Sequence, residues 1–263
     1  MPEATRAFAV PISTSQFSCV GERSGNQDAI GYHVDDHFAC FVVSDGVGGT
    51  AGGELAARTA VDTMLNAAVD VPSITDDAIQ RYVNGANSAI LAKQRELTAQ
   101  HKMSATVVAL FIDRDTSQAR WAHAGDSRLY RYRRGLVIDQ TEDHSLARRA
   151  GHANTAAQTG PLVASNLLYR ALGARHELVP ALSPVQTLAD GDAFLLCTDG
   201  LWQRLSQPVM ERCLQLAASA EEWLALLRRA AETRGGEESG DNYSALAVWV
   251  GAPQQVTLAA GAG

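Results

Sequence analysis

The chain has 263 residues, 46% of them hydrophobic and 19% charged, with a formal net charge of −7. That is apolar material for one large core, or at most two small ones, and no stretch approaches the ~20 apolar residues of a membrane-spanning helix. The acidic balance and the lack of a basic tract argue against a nucleic-acid groove, whereas an acidic protein can act on phosphate where cations reverse the local field.

A short apolar patch at residues 7–12 is broken by Pro11 and has no basic run before it, so it does not read as a secretory leader. The expectation is a soluble, cytoplasmic chain. Short runs rich in Val, Phe, Tyr and Trp follow at residues 17–20, 38–44, 106–113, 120–124, 129–133, 193–198 and 243–250. They are too short for helices and predict strands. Arg133-Arg134-Gly135 predicts a hairpin turn between residues 129–132 and 136–138. Helical spacing appears at residues 53–68, where Ala56, Ala60, Val61 and Met64 form an apolar face, and at residues 74–97. A second helical pair is predicted at residues 208–217 and 221–233. Helices clustered between runs of strands predict an α+β layered domain rather than a parallel βαβ sheet. Residues 149–165 are polar, rich in Gly and Ala and without a period, which predicts a surface loop or flap. Cys19, Cys40, Cys197 and Cys213 include no Cys-x-x-Cys pair and read as small hydrophobes in a reducing compartment.

Four acidic motifs sit at the ends of these predicted strands. In Val43-Ser44-Asp45-Gly46-Val47-Gly48-Gly49 an apolar run ends on an aspartate followed by three glycines. There the backbone can bend and bring a carbonyl beside the carboxylate, as an oxygen-only Mg²⁺ or Mn²⁺ site needs. Thr198-Asp199-Gly200-Leu201 repeats the design, Gly240-Asp241-Asn242 precedes the last strand, and Gly125-Asp126-Ser127-Arg128 lies between two others. Each alone is compatible with an ordinary turn. Together they favour a convergent metal cluster, because carboxylates packed so closely repel one another without cations. Arg23, in Arg23-Ser24-Gly25-Asn26-Gln27-Asp28, offers a guanidinium fork for phosphate oxygens; its competing reading is a solvated loop arginine.

These elements, in this order, resemble the metal-dependent protein phosphatases of the PPM, or type-2C, family in its compact bacterial form. The resemblance runs from about Phe17 to Val250 and includes Met103-Ser104-Ala105-Thr106 and Asn166…Arg170-Ala171-Leu172-Gly173. It implies a four-layer α-β-β-α sandwich, two antiparallel sheets flanked by helix pairs, in a single catalytic domain spanning 1–263 with a flap at about 145–175. It implies two Mn²⁺ or Mg²⁺ ions and a weaker third. Asp45 would bridge two of them, the Gly46 carbonyl would bind one, and Asp199 and Asp241 would complete a shell. Asp126 would hold the third ion, Asp28 would orient metal-bound water, and Arg23 would bind the substrate phosphate. The implied reaction is hydrolysis of phosphoserine and phosphothreonine in proteins by a bridging hydroxide, reversing the work of a cognate Ser/Thr kinase, by a monomer.

Two positions depart from the pattern. Gln27 stands where many members carry Glu, which lowers the negative charge available to the second metal. Val47 stands where some eukaryotic members carry a histidine proposed as a general acid. His123 and His144 read as structural, the latter as part of a helix start. No Cys-x5-Arg signature supports a covalent phosphocysteine route. The rivals are a non-catalytic phosphoprotein binder, which the retained Asp45, Asp199 and Asp241 disfavour, and a two-metal nuclease, which the net charge disfavours. A phosphatase acting on an anti-sigma-factor antagonist would share fold and chemistry.

Overall fold

The structure, a computed structural model, describes residues 10–47, 50–97, 103–144, 171–173, 178–234 and 240–251. In chain order the elements are β1 (Ile12–Cys19), β2 (Asp28–Val34), β3 (Phe38–Val47), α1 (Thr50–Asp70), α2 (Asp76–Glu96), β4 (Ser104–Ala105), β5 (Val107–Asp113), β6 (Gln118–Ala124), β7 (Arg128–Arg133) and β8 (Leu136–Gln140). Then come β9 (Ala181–Leu182), β10 (Gln186–Thr187), β11 (Ala193–Cys197), α3 (Asp199–Trp202), α4 (Gln207–Leu216), α5 (Ala220–Arg234) and β12 (Tyr243–Val250).

Alternation along the strands explains the layers. Side chains of successive strand residues point to opposite faces. In β3, Ala39, Phe41 and Val43 face the second sheet, while Cys40 and Val42 face the helices. In β11, Phe194 and Leu196 face inward, while Ala193, Leu195 and Cys197 face out. The central strands are therefore buried on both sides and read in sequence as unbroken apolar runs. One sheet has the order β1-β12-β11-β7-β8 and the other β10-β6-β5-β3-β2, with β4 paired to β3 and β9 to β6; every pairing is antiparallel.

Three apolar cores follow from this stacking. The first lies between α1, α2 and the outer face of the β3–β5 sheet, where Ala56, Ala60 and Ala68 let α1 approach closely. The second packs Trp223, Leu227 and Met210 of α5 and α4 under Trp249, Ala247 and Leu195. The third lies between the sheets. The layers are thus α-β-β-α, the predicted sandwich. The predicted hairpin is also present: Arg134 and Gly135 both adopt positive φ, 52° and 76°, a turn whose twist suits the strands it joins.

The four helical predictions match α1, α2, α4 and α5 to within a few residues at each end. Five elements were not predicted: β2, α3 and the two-residue strands β4, β9 and β10. β2 alternates weakly around Gly31, and α3 is only four residues long. The predicted flap at 149–165, the helix start beyond His144 and the Asn166–Arg170 part of its motif lie outside the described residues. All four cysteines are free, and Cys40, Cys197 and Cys213 are buried, as small hydrophobes would be.

Candidate active site

Antiparallel pairing collects the acidic motifs at one end of the sandwich. Asp28 opens β2 directly opposite Asp45 near the end of β3. Val43 of β3 faces Val108 of β5, and Val107 at the start of β5 faces Ala124, which closes β6 just before Asp126. In the other sheet Cys197, the last residue of β11, faces both Arg128, the first of β7, and Ala245 near the start of β12. Asp199 and Asp241 therefore leave the sheet at the same end. Asp28 and Asp241, 213 positions apart in the chain, are brought together there because each strand end alternates with a strand start.

The scaffold around each carboxylate is hydrogen-bonded. The Asp45 N–H donates to Thr106 Oγ1 at 2.9 Å, and the Thr106 N–H donates to the Asp45 carbonyl at 2.8 Å. The Thr106 and Ser127 hydroxyls lie 2.7 Å apart, which ties β3 to the Asp126 turn. Thr198 Oγ1 donates to Asp28 Oδ2 at 3.0 Å and accepts the Ser244 N–H at 3.0 Å. Gln203 Nε2 donates to Asp199 Oδ2 at 3.0 Å. Asn242 holds the Arg23 loop from below: its side-chain amide donates to the carbonyls of Val20 and Gly25 at 2.7 and 3.0 Å. Its Oδ1 accepts the Gln27 N–H at 2.8 Å. Gly46 and Gly53 touch where β3 runs into α1; a Cβ on Gly46 would stand 1.9 Å from the Gly53 carbonyl, so neither position admits a side chain.

The electrostatics set this end apart. Burial pushes Asp45 well above the ordinary carboxylate range, and Asp28, Asp199, Asp126 and Asp241 push it further. Burial raises Asp28 to about 7; the Ser244 and Thr198 hydroxyls oppose the rise, and Asp199 and Asp241 add to it. Burial, then Asp199 and Asp143, raises Asp126 to about 7. Asp199 is raised by burial and Asp241, while it shares a side-chain hydrogen bond with Asp45. These are the signatures of carboxylates facing one another in a desolvated cleft.

Arg23 lies at the rim, where its guanidinium donates to Asp241 Oδ2 at 3.0 Å; both side chains are about half exposed. Gly46 follows Asp45 on β3, and its N–H donates to the Gln27 carbonyl at 3.0 Å. Val47 is exposed. His123 and His144 are buried with parallel rings 4.5 Å apart, and the His144 N–H donates to the Gly125 carbonyl at 2.9 Å.

Among the described residues no three His, Cys, Asp or Glu side chains are drawn into a ready-made metal cage. The donor chemistry nevertheless fits hard divalent cations. The converging groups are all oxygen ligands, their charges repel one another, and Asp28 Oδ1 is buried without a hydrogen-bond partner.

Sequence reasoning passed over Thr106, Thr198, Asn242, Ser244, Trp202 and Gln203. Three of these sit inside motifs already noted: Thr198 and Asn242 beside an aspartate, and Thr106 at the end of Met103-Ser104-Ala105-Thr106. That adjacency was the available signal.

Known proteins resemble this chain in sequence and in fold. The family model described as protein phosphatase 2C matches residues 17–239. The serine/threonine phosphatase stp of Listeria monocytogenes serotype 4b is 29% identical over 238 residues, covering 86% of this chain and 90% of that protein. Its counterpart in Listeria welshimeri is 30% identical over the same length and shares. Among solved structures, the Mycobacterium tuberculosis serine/threonine phosphatase PstP/Ppp superposes with a TM-score of 0.77 at 25% identity, covering 92% of this chain and 99% of that one. The catalytic domain of PstP in complex with two manganese ions superposes at 0.75 with 26% identity, covering 92% and 99%.

Proposed function

The chain belongs to the protein phosphatase 2C family, and from that premise we propose that it hydrolyses phosphoserine and phosphothreonine esters in proteins with the help of Mn²⁺ or Mg²⁺. The observation that carries the reading is the convergence of Asp28, Asp45, Asp126, Asp199 and Asp241 from five separated segments at one end of the sandwich, with four of their carboxyls raised by burial and mutual repulsion. A two-metal nuclease would share such carboxylates, but the net charge of −7 and the lack of a basic tract disfavour it, and an apolar-ligand site has no use for them. The arrangement suits the neutralisation of phosphate charge by cations.

In this reading Asp45, Asp199, Asp241 and the Gly46 carbonyl hold the tightly bound ions and Asp126 the weakest, while Asp28 orients water. Bound divalent cations would supply positive charge for the phosphate oxygens and acidify a water towards neutral pH. The residues of the chain do the rest. Thr198 and Ser244 aim Asp28, whose buried carboxylate accepts a hydrogen from water beside it. Thr106 fixes the main chain at Asp45, so that its carboxylate is preorganised. Arg23 exchanges its exposed bond to Asp241 for the incoming phosphate, a contact present both before and during the reaction. No imidazole stands at Val47, so the leaving seryl or threonyl oxygen draws its proton from solvent rather than from a side chain there.

The same proposal makes residues 1–263 a single catalytic domain with its core at about 17–250, places it in the cytoplasm as a monomer, and makes a Ser/Thr kinase its counterpart. The PstP catalytic domain in complex with two manganese ions supports the metal requirement by likeness. Release of phosphate from a phosphoserine peptide, measured with Mn²⁺, with Mg²⁺ and with excess chelator, tests the reading. Activity with either ion and none with chelator is expected; undiminished activity in chelator would sink the metal-dependent reaction.

A further inference from the structure

Trp202 is half-buried, and its indole Nε1–H donates to the main-chain carbonyl of Asp126 at 2.9 Å. The face of that indole is covered by the Arg128 guanidinium, 3.4 Å from the ring centroid. Arg128 is held in turn by Asp143, which accepts two bonds from it at 2.8 and 2.7 Å and is almost fully buried. A planar guanidinium fixed at its edge by a carboxylate and at its face by an aromatic ring has no rotational freedom left. The indole is locked with it.

The residue before Asp126 is fixed as well. Gly125 has φ +113°, and a Cβ there would stand 2.7 Å from Thr106 Cβ. Its N–H donates to His144 Nδ1 at 3.3 Å, and its carbonyl accepts the His144 N–H at 2.9 Å. The carbonyls of Gly125 and Asp126 are thus both held by side chains or backbone from elsewhere. The tether at Asp126 comes from α3, whose first residue is Asp199 and whose last is Trp202. This single turn carries one site carboxylate at its start and holds the backbone of another at its end.

We propose that Trp202, Arg128 and Asp143 act as one positioning unit that aims the Asp126 carboxylate at the site and fixes its distance from Asp199. The unit sets the affinity of the weakest cation without touching it. The proposal rests on the reading of Asp126 as a metal ligand. It assigns a role to three side chains that no step of the proposed reaction uses. Groups that orient a ligand from behind alter metal affinity about 10–100-fold when lost.

The test is direct Mn²⁺ binding to the full chain, followed by the electron paramagnetic resonance of free Mn²⁺. Wild type, Trp202→Phe, Asp126→Asn and the combined variant are compared. Trp202→Phe keeps an aromatic ring under Arg128 and removes the N–H together with the second ring of the indole. The expected result is loss of about tenfold or more in the weakest class of sites, with the tighter class unchanged. Asp126→Asn should abolish that weak class, and the combined variant should bind no more weakly than Asp126→Asn alone. An isotherm for Trp202→Phe that overlays wild type overturns the proposal and leaves the ligand assignment standing, as does a further loss in the combined variant. A wild type with no class that Asp126→Asn removes overturns both. Should Trp202→Phe fail to fold, Arg128→Lys supplies the test. It keeps a cation for Asp143 but gives up the flat stack, and it should weaken the same class by a smaller factor.

Discussion

The strand β11 has an aspartate near each end, and the two live in opposite surroundings. Asp192, just before the strand, is fully buried and bonded to two arginines. Arg131 donates to Oδ2 at 2.8 Å; Arg133 donates to Oδ1 and Oδ2 at 2.7 and 2.9 Å; and the Ala189 N–H adds a fourth bond at 3.1 Å. Burial alone would raise its pKa, but Arg133 and Arg131 override that and hold it below the ordinary range. Asp199, just after the strand, is raised by burial and by Asp241, and its neighbours Asp28, Asp45 and Asp126 are raised with it. One end of the sandwich satisfies its buried charge with its own arginines; the other gathers like charges and leaves them to be satisfied from outside. A buried carboxylate is therefore not a functional signal in itself. What marks the site is that its carboxylates answer to one another.

The largest effect expected from breaking this contrast is at the paired end. Asp192→Asn leaves the Arg131 guanidinium, whose side chain is 4% exposed, without its counter-charge. Stability should fall by about 3–5 kcal/mol, the usual cost of removing one partner of a buried pair. Urea unfolding at neutral pH measures it, and the protein that stays folded should keep its phosphatase turnover. A loss under about 1 kcal/mol would mean the pair is not buried in solution. Asp45→Asn should do the reverse. Turnover on a phosphopeptide should drop by about 10²–10³-fold, the range seen when a preorganised electrostatic group is removed. Thermal stability without added metal should hold or rise, since a like charge has gone. Asp199→Asn combined with Asp45→Asn should cost little beyond either alone, because in the proposed reaction both serve one centre. Near-native turnover in Asp45→Asn would place the chemistry elsewhere.

How far this contrast could be read in advance depended on sequence distance. β12 was legible with its observed bounds, 243–250, because burial on both faces makes it an unbroken apolar run. β1 was legible only from Phe17, since Ser13, Thr14, Ser15 and Gln16 line an edge strand with no apolar signal. Asp45, Asp126, Asp199 and Asp241 were legible because each lies at or near a strand end beside a glycine, whereas Asp28, between Gln27 and Ala29, was noted only with the Arg23 segment. Their supports were not: Thr198 reaches Asp28 across 170 positions, and nothing local announces that bond. Asp192 was passed over for the same reason. Ala189-Asp190-Gly191-Asp192 looks like a turn, and its arginine partners lie 61 and 59 residues earlier on β7.

Arg23 bridges the two themes, being an arginine that pairs with a site carboxylate, yet at an exposed rim. Its bond to Asp241 is screened and contributes little to stability, so Arg23→Ala should leave the unfolding midpoint unchanged. The effect should appear in KM for a phosphopeptide, raised roughly ten- to a hundredfold for a charge-assisted contact of ~1.5–3 kcal/mol. Comparable kcat with raised KM is the expected pattern. An unchanged KM would leave Arg23 as a partner of Asp241 and nothing more.

The smallest effect is the pH dependence of the paired end, and its sign follows from the direction of the Asp192 shift. A carboxyl held below its unfolded pKa, about 3.9, contributes stability that is fully present above that value. The contribution is lost as pH falls through the lower, folded value, because the protonated acid no longer offers two charged acceptors to Arg131 and Arg133. Asn at 192 cannot titrate. The difference in unfolding free energy between wild type and Asp192→Asn should therefore be level from pH 7 down to about 4 and narrow below it. Taking the difference removes the carboxylates of the site, which titrate in both proteins. Urea midpoints at half-unit steps from pH 7 to 3 give the curve. A gap that stays level throughout the acid range would show that Asp192 is not held down by its arginines, and the two ends of β11 would then differ only in their neighbours and not in the state of their charge.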